Sequence, residues 1–206
     1  PLAAEPVAGA EAAGPDPELL RTTVDRAIQF LARQQSADGS LSARMGIGPT
    51  ALATLGLLRA GRTADDPQVA KGLAYLEQYT QESGGIHAPG SFISNYETCV
   101  AIVCFKEANH GGRFDKAIAQ AERFIRSGQW TEDRERQPSD IDYGGSGYGG
   151  KTRPDLSNTA FLVETLKTIG ARAHDPAIPK ALVFVSRCQN PEGPHNTTPL
   201  AAKVND

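Results

Sequence analysis

Hydrophobic residues recur along this chain at α-helical spacing, in two alternating kinds of segment. The first kind carries charged residues on one face, as in Lys116–Arg126, and such a segment packs on one side only. The second kind is apolar almost all round, as in Ala51–Leu58 and Ala101–Phe105, so it must be covered on every side. The pattern predicts an all-α protein in which amphipathic helices lie outside apolar ones.

The two kinds of helix alternate because one sequence unit is repeated four times along the chain. Such a repeat is typical of an array of supersecondary structures. In each unit the first helix carries an aromatic residue, followed five residues later by Gln or Thr. In three units a Gly follows nine residues after the aromatic residue, where the helix is expected to give way to a loop. These marks are Phe30, Gln35 and Gly39; Tyr75, Thr80 and Gly84; Phe124 and Gln129; and Phe184, Gln189 and Gly193.

The second helix of each unit runs eleven steps from a Thr to a Gly or Asn that suits a left-handed C-terminal cap. These helices are predicted at Thr50–Gly61, Thr98–Asn109 and Thr159–Gly170. Asp66-Pro67 and Asp175-Pro176 then pair an N-cap acid with a helix-starting proline, so the next unit begins there. The sequence therefore predicts three helical hairpins and the first helix of a fourth.

The first eighteen residues differ from the rest of the chain. Residues 1–18 are rich in Ala, Pro and Gly, with four acidic residues and no basic one, so they are predicted to form a disordered linker. The repeat domain is then expected to span residues 19–206. The chain lacks an initiator Met, and an Ala/Pro-rich acidic start often follows a removed secretory signal, so export is one expectation.

Composition removes several classes of function. The 21 basic and 24 acidic residues leave a net charge of −3 without a basic run, which argues against nucleic-acid partners. Apolar stretches such as Cys99–Phe105 fall far short of the roughly 20 residues that a membrane span needs. The three Cys and four His residues show no metal-ligand spacing, so neither a metal nor another cofactor is expected.

A loop motif joins the two helices of a unit. It reads Gln35-Ser36-Ala37-Asp38-Gly39 in the first unit and Gln189-Asn190-Pro191-Glu192-Gly193 in the fourth. A helix followed by Gln-x-x-x-Gly and an apolar helix resembles the repeats of squalene/oxidosqualene cyclases and protein-prenyltransferase β-subunits. From about Thr22 onwards the chain is similar to short bacterial prenyltransferase/squalene-oxidase repeat proteins. The resemblance implies an (α/α) toroid of about six hairpins around an apolar cavity.

Against that family the chain supplies a partial ring of about three and a half hairpins. An open arc leaves apolar flanks of the inner helices facing water, which large patches on soluble proteins rarely do. We therefore expect the domain to be truncated at its C-terminus, and the ring to be closed by a missing C-terminal half, a second copy or a partner chain.

The irregular segment Asp140–Ala160 of the third unit is where a site is expected. Aligned on the cyclase motif Asp-x-Asp-Asp-Thr-Ala, it keeps Asp155, but Ser157 stands at the proton donor's position and cannot replace a carboxylic acid. Prenyltransferases place an Asp-x-Cys zinc pair there, and Ser157 again replaces the ligand. The glycines of Gly145–Gly150 lack the preceding strand of a dinucleotide-binding fold. Both catalytic signatures of the family are therefore missing.

Polar residues still converge at the start of this last apolar helix. Arg153 and Asp155 are predicted to face the ring mouth and hold a polar head group, with Asp155 as the candidate catalytic residue. In the alternative interpretation Asp155 or Ser157 caps the helix, Arg153 pairs with an acid, and Glu97 is an acid favoured by the helix dipole. The candidate ligand-binding residues are Arg153, Ser157, Asn158, Tyr143, Tyr148 and Glu97, with Lys151 in the same loop.

The sequence and the resemblance together predict a protein that binds an apolar, isoprenoid-like molecule or a peptide. One alternative is an enzyme of isoprenoid chemistry with Asp155 as general acid or base. The other is an interaction scaffold that grips a partner chain with its open arc.

Overall fold

The computed structural model describes residues 14–149, 152–189 and 191–196. These residues form seven α-helices and no extended strand, which confirms the all-α class. None of the helices in these ranges is long and apolar enough to cross a membrane. Most of the predicted linker lies outside the described residues. The helices are α1 (Pro17–Gln34), α2 (Gly48–Arg59), α3 (Pro67–Glu77), α4 (Ser94–Glu107), α5 (Asp115–Ser127), α6 (Leu156–Thr168) and α7 (Ala177–Cys188), with short 3-10 turns at Ala43–Met45 and Glu132–Arg134.

The chain divides into two compact units, residues 1–34 and 35–206. The first unit contains α1, which begins two residues inside the segment predicted as linker. Its start is capped by Asp16, whose Oδ1 accepts a hydrogen bond from the Leu19 amide at 2.8 Å. A proline at the first helical position and a capping acid before it explain why the helix starts there.

In the second unit the three apolar helices pack in a row, with α4 between α2 and α6. Helices α2 and α4 run parallel, as contacts at both ends show. Near the start of the two helices Gly48 lies against the Tyr96 ring, and near their ends Arg59 pairs with Glu107 at 3.1 Å. On α6, Phe161 meets the Tyr96 ring edge-on with centroids 5.0 Å apart. Most residues of α4 are buried, as its apolar sequence requires.

Helices α3, α5 and α7 cover this row, each packed on the apolar helix that precedes it. The approach of α3 to α2 depends on Gly72, since a side chain there would overlap that of Thr54. The residue before α5, Phe114, stacks on Phe105 of α4 with centroids 4.5 Å apart. The outer helices bury one face each, so the two helix types occupy the two layers.

The Thr residues that mark the second helix of each unit form a repeated latch. Each hydroxyl accepts a hydrogen bond from one loop amide and lies within bonding distance of the carbonyl of that same residue. The latch is buried, so it satisfies loop groups that water does not reach. The pairs are Thr50 with Leu41, Thr98 with Ile86, and Thr159 with Ser146.

The Gln residues that mark the first and third units tie their loops to the next outer helix. The Gln35 side chain donates to the carbonyls of Gly39 and Gln68, at 3.1 and 3.0 Å. Gln129 repeats this in the third unit, donating at 2.9 Å to the carbonyls of Gly144 and Ala177. The motif is therefore a structural device that positions the start of α3 and α7.

The predicted helix boundaries need two corrections. Helices α2, α4 and α6 begin two to four residues before the marking Thr residues, because the latch lies within the first turns. Gly61 and Gly170 adopt the predicted left-handed conformation, but Asn109 does not. Instead the Asn109 side chain accepts a hydrogen bond from the Phe114 amide at 2.9 Å and donates to Asp115 at 2.6 Å. An Asn can shape a turn through its side chain as well as through its backbone.

Candidate functional site

The Glu97 side chain, in the first turn of α4, is fully buried between two loops. Its Oε1 accepts a hydrogen bond from the Ile47 amide at 2.8 Å, and its Oε2 accepts one from the Ala88 amide at 3.2 Å. Gly46, at φ 82°, lets the first loop approach, because a side chain there would overlap Oε1. The carboxylate therefore joins the loops that precede α2 and α4.

A pocket of about 470 Å³ opens above this carboxylate. The walls come from the same two loops, and most of them are apolar. Two of the wall side chains project into solvent, since Met45 is 69% exposed and Phe92 is 80% exposed. Large apolar groups exposed side by side mark binding surfaces more often than single ones do. The lining residues that carry the argument are Met45, Pro89, Phe92, Ile93 and Glu97, with Arg44 at the edge.

Asp155, the candidate catalytic residue, caps α6. Its Oδ1 accepts a hydrogen bond from the Asn158 amide at 2.8 Å, and its Oδ2 accepts one from the Asn158 side chain at 2.7 Å. Both oxygens thus engage the first turn of the helix, in the geometry of an N-cap acid.

The candidate residues next to Asp155 lie in different environments. Arg153 is largely exposed, and its guanidinium lies 3.8 Å from the carboxylate of Asp142. Ser157 is also exposed, whereas Asn158 is buried. The Asn158 Oδ1 has no hydrogen-bond partner among the described residues, so this amide is only half satisfied. Lys151 lies outside the described residues.

The two tyrosines of the loop also lie apart. Tyr143 is buried and donates a hydrogen bond to Glu132 Oε1 at 2.7 Å, and Lys180 donates to the other oxygen at 2.6 Å. These donors, Lys180 first, lower the pKa of Glu132 to about 2, while burial and the Glu132 contact raise the pKa of Tyr143 to about 12. Tyr148 has a half-exposed ring, and its carbonyl accepts from the Asn95 amide at 2.8 Å.

The seven candidate residues therefore occupy several places. Asp155 and Asn158 are in direct contact, and Arg153 and Ser157 flank them, whereas Tyr143, Tyr148 and Glu97 lie elsewhere. Glu97 lines the pocket of about 470 Å³ between loops of the first and second repeats, and Tyr143 lines a smaller one of about 370 Å³ beside α7. The geometry thus favours Glu97, the candidate outside the long third-unit loop.

The described residues also locate the potential metal ligands and two of the three thiols. No group of three or more potential His, Cys, Asp or Glu ligands comes together within them. Burial raises the pKa of both Cys99 and Cys104 to about 12, so these thiols remain protonated and unreactive at neutral pH.

Met45 and Phe92 were missed by the sequence analysis. Both lie in the loops before an apolar helix, Met45 five residues before its latch Thr and Phe92 six residues before. An apolar residue in a loop, outside helical periodicity, was the available signal. Comparison with known proteins adds no further guide, since neither a protein-family model nor a curated protein matches this sequence.

Asp155→Ala should destabilise the protein by about 1 kcal/mol, because the first turn of α6 loses its cap. Asp66→Ala is the matched control, since Asp66 caps α3 by accepting from the Gln68 amide at 3.0 Å. Urea unfolding of both variants measures the loss. A loss in the Asp155 variant well above that in the Asp66 variant would mean that Asp155 does more than cap its helix.

Proposed function

We propose that this chain is a binding protein for an apolar ligand, and that Glu97 anchors one polar group of that ligand. The apolar body of the ligand contacts the loops around Met45 and Phe92, and its hydroxyl or ammonium group donates to the Glu97 carboxylate. This chemistry matches an isoprenoid-like alcohol or amine, or an apolar peptide segment with one donor. The observation that carries the proposal is the buried carboxylate beneath exposed apolar side chains.

The hydrogen bonding of the Glu97 carboxylate favours ligand binding. Each of its oxygens accepts one backbone hydrogen bond, and an ionised carboxylate offers about four acceptor positions in all. Two positions are not used by these backbone bonds, and a hydrogen bond to a charged acceptor in an apolar pocket is stronger than one in water. The backbone bonds hold the carboxylate in one orientation, so little side-chain entropy is lost when the ligand binds.

We further propose that the two layers of helices belong to an (α/α) toroid of the cyclase and prenyltransferase kind. Two features support this: the row of apolar helices α2, α4 and α6, and its cover of amphipathic helices. The Thr contacts repeat in three units and the Gln contacts in two, so the loops meet the helices in the same way along the row. In this proposal the Glu97 pocket lies at the rim where the apolar helices begin, and a further chain or segment continues the ring.

The experiment compares two probes, farnesol and its methyl ether, by isothermal titration calorimetry. We expect Met45→Ser combined with Phe92→Ser to weaken farnesol binding about tenfold, because both side chains lose apolar contact with the ligand. The methyl ether should bind more weakly than farnesol, since it cannot donate to Glu97.

Leu182→Ser is the matched control, because Leu182 is a similarly exposed apolar residue on α7 outside the pocket. It should leave the farnesol affinity within about twofold of the original, which corresponds to less than the 1.4 kcal/mol of a tenfold change. Unchanged binding in the Met45 and Phe92 variant would contradict the proposal, as would equal loss in the control.

A further inference from the structure

A second recess lies on another side of α4. It has a volume of about 130 Å³ and is bounded by the start of α4, the end of α5 and the loop before α6. Four of its lining residues are polar or charged, three are glycines and one is aromatic. The lining side chains are those of Asn95, Phe124, Ser127, Arg134 and Thr152.

Asn95 gives this recess an unused hydrogen-bond donor. The residue is only 3% exposed, and its Nδ2 has no hydrogen-bond partner among the described residues. Its Oδ1 lies 4.0 Å from the Cys99 thiol, so the amide oxygen faces its own helix. An unpaired buried donor costs about 1–3 kcal/mol, which a suitable ligand would recover.

Arg134 supplies a positive charge to the same recess. The guanidinium donates to the Gly128 carbonyl at 3.1 Å and lies 5.5 Å from the centre of the Trp130 ring. These contacts hold the Arg134 guanidinium at the recess, which it lines together with Asn95. A cation beside an unpaired amide donor is an arrangement that attracts an oxyanion.

We propose that this recess binds a carboxylate group. The Asn95 amide and the Arg134 guanidinium are two separate side-chain donor groups that line the recess, which suits the two oxygens of a carboxylate. A phosphate brings more oxygens and more charge, and its desolvation would require further donors. A water molecule takes about 30 Å³ in the liquid, so the recess has room for a carboxylate and the carbon it is attached to.

This site is independent of the proposed ligand pocket. Asn95 and Glu97 are two residues apart on α4, and residues at that spacing point to different sides of a helix. The Asn95 amide therefore donates to an anionic group, whereas the Glu97 carboxylate accepts from a hydroxyl or ammonium group. Farnesol binding should remain unchanged when the recess is occupied, so failure of one proposal leaves the other intact.

The test is an NMR titration of the whole chain with sodium acetate, with sodium chloride at equal ionic strength as reference. We expect a saturable shift of the Asn95 side-chain amide signals in the millimolar range of acetate. Arg134→Gln should weaken acetate binding at least tenfold, because the charge is lost. Arg136→Gln is the matched control, since Arg136 stacks on Trp130 at 4.4 Å but does not line the recess. It should change the affinity less than twofold.

Asn95→Asp provides a second variant, which keeps the shape of the side chain and replaces the donor by a like charge. If this variant unfolds, the comparison of the Arg134 and Arg136 variants still tests whether the recess binds acetate.

Two further titrations separate the sources of the carboxylate. The recess binds a chain terminus if an N-acetylated tripeptide binds more tightly than acetate and the same tripeptide with an amidated C-terminus does not bind. Equal affinity for acetate and the tripeptide would assign the recess to small free acids. Absence of saturation with acetate, or tighter binding of inorganic phosphate, would overturn the proposal.

Discussion

Gly144→Ala is expected to lower the free energy of unfolding by about 2–5 kcal/mol, the largest effect of any change considered for this chain. Gly144 lies in the left-handed region at φ 83°, which costs a residue with a side chain about 1–2 kcal/mol. A Cβ at this position would also overlap the carbonyl group of Lys180 in α7. Because that obstacle is backbone, it cannot be relieved by a side-chain rotation, and the loop or the helix must move.

Gly61→Ala is the control that separates these two costs. Gly61 has nearly the same backbone conformation, at φ 86°, and a Cβ there would meet no described atom within 4 Å. It should therefore lose only the conformational part, about 1–2 kcal/mol. Chemical denaturation of the two variants gives the difference directly. Equal losses would mean that the close approach of the loop to α7 contributes nothing to stability.

The importance of Gly144 could not be anticipated from the repeat pattern. In the first two units the corresponding residues, Gly39 and Gly84, follow the aromatic residue by nine positions, and each lies against the carbonyl of the next outer helix. In the third unit extra loop residues lie between Gln129 and Gly144, so the glycine no longer follows the aromatic residue by nine positions. The insertion changes this spacing, although Gln129 and Gly144 keep their contact with each other.

The helices themselves were predictable because their signals are local. An apolar face at a period of 3.6 residues, a capping acid such as Asp66 and a terminal glycine such as Gly61 all act within a few residues. The site was only partly predictable. Glu97 was one candidate among seven, and its burial depends on two loops, one of them 50 residues away along the chain. The sequence shows which residue types stand at a helix start, but not which loops fold over them.

Glu97→Gln should destabilise the protein by about 2–3 kcal/mol, because the carboxylate accepts from amides on two different loops, one of them buried and the other part-buried. A glutamine has almost the same shape but only one acceptor oxygen, so its amide group would face one of the two N–H donors. That loop would lose a charge-assisted hydrogen bond and gain a contact between two donors. Urea unfolding measures the change.

Glu107→Gln is the matched control on the same helix. Glu107 lies near the surface and pairs with Arg59 at 3.1 Å, an arrangement worth about 0–1 kcal/mol. The same charge is removed in both variants, so any difference between them reports the contacts of Glu97 with the two loops. Similar losses in the two variants would show that the contacts of Glu97 with Ile47 and Ala88 do not hold the loops together.

The Glu97 variant also separates the structural role of this carboxylate from its proposed role in binding. Amide exchange of Ile47 and Ala88, followed by NMR, should accelerate in the Glu97→Gln protein, since one of these amides loses its acceptor. Farnesol binding should fall at the same time, whereas the weaker binding of the methyl ether should change less, because it never donated to the carboxylate. A protein with faster exchange and unchanged farnesol affinity would restrict Glu97 to holding the loops, and the apolar contacts of Met45 and Phe92 would then account for all of the binding.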